Sequence, residues 1–153
     1  MSRKDDYERM DTNKYLNLNL KTDGLPLPDV NAQFIEFFHR MDYKWWRDVE
    51  EGDVVVDIGA CVGFFVCHAL DRKASRVFAI EPSRPHLKTL IQNISDHYID
   101  NSTTPVIPIE AGIGSTSNHF NNVFSEYSDF KRMSFLDLVV DYNIPKIDYL
   151  KID

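Results

Sequence analysis

The chain has 153 residues, 43% of them hydrophobic and 27% charged, the profile of a single soluble globular domain. A disordered tail, a collagen-like rod and a disulfide-rich miniprotein are thereby excluded. With 17 Lys+Arg against 24 Asp+Glu the net charge is −7, and no Lys/Arg cluster offsets it. Such a chain is a poor match for a phosphate backbone, so no nucleic-acid partner is expected.

The first residues, MSRKDDYERMDTNK, hold no apolar core and so do not read as a signal peptide. Tyr15–Leu20 alternates apolar and polar residues, which predicts a short half-buried strand, and Gly24–Asp29 breaks it. Val30, Phe34, Phe37, Phe38, Met41 and Trp45 then fall on one face of a helix of about four turns. Residues 1–50 therefore read as an N-terminal extension carrying an amphipathic helix, and residues 51–153 as an α/β unit.

Val54–Gly59 opens with three valines, the pattern of a strand buried on both faces. Val62, Phe65, Val66, Ala69 and Leu70 have helical spacing. Arg76–Pro82 is a second buried strand. Ser83 can cap the next helix, whose apolar stripe is Leu87, Leu90, Ile91, Ile94 and Tyr98. Thr104–Ala111 reads as a third strand, placed at a sheet edge by Pro108. The stretch 112–132 has no clear period and is expected to hold a small hairpin or a flap. Ser134 and Asp137 fit a capping box, with Phe135, Leu138, Val139 and Tyr142 facing inward. Ile147–Asp153 is a fourth strand. Strands alternating with helices predict a parallel sheet with helices on both faces and right-handed crossovers. The apolar run Val54–Leu70 is broken by Asp57, two glycines and His68, so no membrane span is expected and a cytoplasmic location is. Cys61 and Cys67, six positions apart on a helix, are not expected to pair.

The most informative segment is Asp57-Ile58-Gly59-Ala60-Cys61-Val62-Gly63, a strand-to-helix turn. Glycines there permit a sharp turn and a close ligand approach, and amides at a helix start favour a carboxylate or phosphate. The spacing is D-x-G-x-x-x-G rather than the G-x-G-x-x-G that serves a pyrophosphate. Asp57 would repel a phosphate, but it suits an ammonium beside a carboxylate, as at the methionine end of S-adenosylmethionine. Glu81 follows the turn by about twenty residues, the usual offset of an acid that accepts hydrogen bonds from a ribose diol. Both acids end adjacent strands, where open α/β sheets bind ligands. The histidines have no tight metal spacing, and two cysteines exclude a cysteine zinc site. Asn93-Ile-Ser95 matches the N-glycosylation pattern and is read as a chance match.

DIGACVGFF, RVFAIEPSRPHLKTLIQNI and MSFLDLVVDYNIPKIDYLKID, in that order, resemble the FkbM family of S-adenosylmethionine-dependent methyltransferases. The first two blocks indicate the broad class I fold, and the third points to FkbM. The resemblance implies a seven-stranded Rossmann-like sheet, and residues 51–153 would form its N-terminal half, with strand order 3-2-1-4. It implies methyl transfer from S-adenosyl-L-methionine, typically to a hydroxyl oxygen of a sugar or small natural product. Asp57, Gly59, Ala60 and Gly63 would contact the methionine part of the cofactor, Glu81 the ribose, and Glu110 and Ala111 would lie near the adenine. Lys151 and Asp153 match the family's K-x-D, which normally continues into V-E-G. Asp153 is the candidate base or acceptor-orienting residue, and Lys151 would pair with it or lower the acceptor's pKa. The chain stops before V-E-G, so a fragment or truncated product is expected, with an open sheet edge available for self-association. The competing reading is a non-catalytic Rossmann-like fragment that binds an adenosine ligand or a partner chain.

Overall fold

The computed structural model describes residue 21 and residues 47–98, 105–114 and 131–153. The strand and helix expected within residues 15–45, and most of the proposed N-terminal extension, lie outside the described residues. The elements are β1 (Val54–Ile58), α1 (Phe64–Asp71), β2 (Arg76–Ile80), α2 (Arg84–Tyr98), β3 (Val106–Ile109), β4 (Gly112–Ile113), β5 (Arg132–Met133), α3 (Phe135–Asp141) and β6 (Tyr149–Ile152). Four strands form one parallel sheet in the order β3-β2-β1-β6, which is the 3-2-1-4 arrangement expected from the sequence. Exposed Pro108 sits on edge strand β3, where its missing N–H leaves no central ladder bond unmade.

Strand alternation divides the core. Val55, Val77, Ala79 and Val106 pack with Phe65, Val66, Ala69, Leu90 and Ile94, so α1 and α2 cover one face. Val54, Val56, Ile58, Phe78, Ile80 and Ile109 pack with Met133, Leu138 and Ile144 on the other, beneath α3. All five residues of β1 are buried, as a central parallel strand requires. Helix α1 is buried from Phe64 through Ala69. Its His68 is a packing histidine, with Nε2 2.6 Å from Asp48 Oδ1. Helix α3 begins with the predicted capping box, in which the Ser134 side chain accepts from the Asp137 N–H and Asp137 accepts from the Ser134 N–H.

Two expectations are corrected. Ile91 is exposed and lies at the rim of the α2 face, while Asn93 takes a buried position beside Leu90 and Ile94. Phe135 is exposed as well, leaving Leu138 as the buried anchor of α3. At the two ends of the 112–132 stretch Gly112 pairs in parallel with Arg132 and Ile113 with Met133. Residues 115–130 lie outside the described residues.

Candidate functional site

Register builds the site. Asp57 stands beside Ala79 on β2 and beside Lys151 on β6. Side chains alternate along a strand, so Asp57, Lys151 and, two residues past Ala79, Glu81 belong to one face of the sheet. All three are buried. Asp153 lies two residues beyond Lys151, and its N–H donates to the Ile58 carbonyl at 3.1 Å.

The turn after β1 is built from left-handed residues. Gly59 (φ 81°), Cys61 (φ 50°) and Gly63 (φ 94°) all have positive φ, which is costly for a residue with a Cβ. Four of its amides donate within the protein. The Gly59 and Ala60 N–H groups both donate to the Ile80 carbonyl at 2.9 Å, and the Gly63 N–H donates to the Ala60 carbonyl. The Cys61 N–H donates to Glu81 Oε2 at 2.9 Å, and Glu81 Oε1 accepts the Ser83 N–H at 2.8 Å. The carboxylate that closes β2 therefore reaches back to the glycine turn that follows β1. The His86 ring borders it, with Nδ1 3.6 Å from Glu81 Oε1 and 4.0 Å from Cys61 Sγ.

The glycines themselves serve close packing within the chain. A Cβ on Gly63 would lie 3.0 Å from Leu90 Cγ, and one on Gly59 would lie 3.2 Å from the Asp153 Cβ. On the side a Cβ would occupy, these glycines face α2 and the end of β6.

Lys151 Nζ donates to Asp57 Oδ1 at 2.8 Å and to the Gly59 carbonyl at 3.1 Å, and it lies 2.6 Å from Asp153 Oδ2. An ammonium has three N–H donors, and these oxygens take all three. Burial opposes the lysine's charge, but the Asp57 and Asp153 carboxylates outweigh that cost and raise its pKa above the ordinary value. Burial also pushes the Asp57 carboxyl up, and Lys151 counters this only in part. The two tendencies pull against each other within one ion pair. The three short contacts decide for a charged lysine, so Lys151 is a counterion rather than a base. Asp57 Oδ2 is buried and has no hydrogen-bond partner among the described residues. An orphaned carboxylate oxygen is costly, and a ligand donor is one way to satisfy it. This buried acceptor thus fits the cationic, amine-bearing end of S-adenosylmethionine.

Glu110 and Ala111 follow β3. Glu110 takes a bidentate ion pair from Arg84, with Nε 3.1 Å from both oxygens and Nη2 2.9 Å from Oε1. Together with Leu87, Lys88 and Ile91 this pair borders a groove of about 350 Å³. Ala111 is fully buried in the apolar cluster of Phe78 and Ile80, and its N–H donates to the Ile109 carbonyl.

Sequence reasoning missed Asn93. It is fully buried, its Nδ2 donates to the Val62 carbonyl at 2.9 Å, and its amide exchanges two further bonds with the backbone of Lys21. Asn93 falls between Leu90 and Ile94 on the inner side of α2, where a polar residue gives no apolar signal. Cys61 and Cys67 form no disulfide. Among the described residues no group of His, Cys, Asp and Glu is arranged to hold a metal ion, and no helix is long and apolar enough to cross a membrane.

Residues 57–153 match the methyltransferase FkbM domain. The chain belongs to that family. The FkbM match starts at Asp57 and runs through the glycine turn, Glu81 and the Lys151–Asp153 pair. No curated protein matches the chain. Among solved structures it is similar to yhhF from Escherichia coli, a protein assigned as a methyltransferase, with 18% identity, 61% of this chain and 46% of that chain covered, and a TM-score of 0.41. It is also similar to an assigned RNA methyltransferase from Pyrococcus horikoshii, with 19% identity, coverage of 74% and 57%, and a TM-score of 0.41. A third is Trm5b from Pyrococcus abyssi, with 23% identity, coverage of 68% and 31%, and a TM-score of 0.38. The chain spans about half the length of the first two structures.

Proposed function

We propose that this FkbM chain is the cofactor-binding part of a methyltransferase that uses S-adenosyl-L-methionine and methylates a hydroxyl oxygen of a sugar or small natural product. The observation that carries the reading is the convergence of Asp57 and Glu81, from the carboxyl ends of adjacent strands, on one glycine turn. When bound, the cofactor supplies a methyl group already activated for displacement. The protein's tasks are then to bind, align and accept a proton.

In this reading Glu81 has unused lone pairs on both oxygens for a ribose diol, beyond those taken by Cys61 and Ser83. Asp57, beside the turn of Gly59, Ala60 and Gly63, serves the methionine end. The Arg84–Glu110 pair and the backbone of Ala111 lie on the adenine side. Asp153, whose side chain is 41% exposed, orients the acceptor hydroxyl or takes its proton, and Lys151 holds Asp153 in place.

The test is the affinity for S-adenosylhomocysteine of the wild type, Asp57→Asn and Glu81→Gln, each checked for folding by circular dichroism. The reading expects both folded variants to lose about tenfold or more, since each gives up charge-assisted hydrogen bonds. Unchanged affinity in both would remove the site assignment.

A further inference from the structure

Asn93 touches two distant parts of the chain at once. It is fully buried on α2. Its Oδ1 accepts the Lys21 N–H at 2.7 Å, and its Nδ2 donates to the Lys21 carbonyl and to the Val62 carbonyl, each at 2.9 Å. A side-chain amide has two N–H donors, so both are in use. The exchange of one donor and one acceptor with Lys21 copies the pairing of two strands. Further along α2, Asp96 holds the Lys21 ammonium at 2.7 Å. Lys21 lies 72 positions before Asn93 and outside the residues that match the FkbM domain.

Val62 stands in the glycine turn, between Cys61 and Gly63, which both have positive φ. Helix α2 meets this turn twice: through the Asn93–Val62 bond, and through Leu90, whose Cγ is 3.0 Å from the place a Gly63 Cβ would take. Two of the hydrogen bonds that fix the Asn93 side chain come from Lys21. Without them the amide keeps the Val62 bond but carries a donor and an acceptor unsatisfied in the interior, which drives it toward other partners.

We infer that Asn93 is a positioning residue that couples the docking of the chain at Lys21 to the geometry of the glycine turn. The coupling is reciprocal by linkage: whatever orders the turn tightens the Lys21 contact, and whatever undocks Lys21 loosens the turn. Its consequence for binding rests on the proposed cofactor. Where the turn serves S-adenosylmethionine, cofactor affinity depends on a residue outside the methyltransferase match.

The experiment uses the full chain and Lys21→Pro, which removes one backbone donor and leaves Asn93 and the turn in place. Amide hydrogen exchange is read by NMR, without ligand, at Cys61 and Gly63 in the turn and at Val77 and Phe78 in central strand β2. The variant is expected to speed exchange at the two turn amides by about threefold or more beyond any change in β2, the effect of one lost hydrogen bond. Calorimetry is expected to show its affinity for S-adenosylhomocysteine lowered about threefold to tenfold. In an Asn93→Ala background Lys21→Pro is expected to change neither reading, and if that background does not fold the single variant decides. A contact that only stabilises the fold would speed exchange at turn and strand alike, and that result overturns the inference. Unchanged affinity of Lys21→Pro, beside a wild type that binds, also overturns it while leaving the proposed function standing. Failure of the wild type to bind S-adenosylhomocysteine defeats the proposed function, and the exchange readings then decide the coupling by themselves.

Discussion

The Glu81 carboxylate accepts the Cys61 N–H at 2.9 Å, twenty residues back along the chain. This bond ties the end of β2 to the turn that follows β1 and holds Cys61 in its left-handed conformation. The second oxygen accepts the Ser83 N–H and so shapes the entry to α2. Before any ligand is considered, Glu81 is thus a structural residue of the site.

Replacement of Glu81 should therefore affect the fold as well as binding. Glu81→Ala strands two backbone donors, each worth about 1–3 kcal/mol when left unsatisfied in the interior. We expect a loss of about 2–5 kcal/mol in denaturant melts, and a clearly smaller loss for Glu81→Gln, which keeps an acceptor oxygen. Equal losses for the two would mean that the Cys61 and Ser83 bonds contribute little.

The Lys151–Asp57 pair makes a second prediction. Lys151→Met leaves the Asp57 carboxylate buried and unpaired, and breaking a buried pair in this way costs about 3–5 kcal/mol. The double variant Asp57→Asn, Lys151→Met should be more stable than Lys151→Met alone, because no unpaired charge remains in it. A double-mutant cycle by urea unfolding measures the coupling, and strict additivity would contradict the ion pair.

Gly63 is held by conformation and by space together. Gly63→Ala meets a φ of 94° and places a Cβ 3.0 Å from Leu90 Cγ, so we expect destabilisation of about 2–4 kcal/mol. Adding Leu90→Ala relieves the contact but not the φ. The pair should therefore be less than additive in thermal melts. Full additivity would leave strain in φ as the whole cause.

Cys67 gives a pH prediction. Burial pushes its thiol from an ordinary 9.0 up to about 12. The unfolded chain releases this proton first, so the contribution to stability is complete below pH 9 and is lost as pH rises toward 12. Lys151 acts in the same direction, since its raised pKa keeps the folded state protonated where the unfolded chain begins to lose its proton. Stability should fall on the alkaline side, and Cys67→Ala should make that fall shallower. In the native state at pH 8 Cys67 should resist alkylation that proceeds freely in urea. Rapid native labelling at Cys67 would contradict its burial.

Most of the sheet was legible because its signals are local. Three successive valines, the apolar run in Arg76–Ile80 and the Ser134–Asp137 spacing each specify an element without help from distant residues. The acids at the strand ends were legible by their offset from the glycines. Their partners were not, because these depend on register. Only the alignment of β6 with β1 sets Lys151 beside Asp57, and only the packing of α2 sets Leu90 against Gly63. Position in a helical stripe likewise did not separate Ile91 from Asn93. The buried arc of α2 is turned toward Asn93 because its amide satisfies the Val62 carbonyl, a requirement that apolar periodicity does not encode.

The central claim is that two carboxylates around a glycine turn form a site for an adenosine ligand with a charged amino-acid tail. Calorimetric titration of the chain with S-adenosylhomocysteine and, separately, with NAD tests it most directly. The account predicts saturable binding of S-adenosylhomocysteine and none of NAD, whose pyrophosphate would meet the Asp57 carboxylate beside the turn. Binding of NAD as tight as that of S-adenosylhomocysteine, or no binding of S-adenosylhomocysteine, would contradict it.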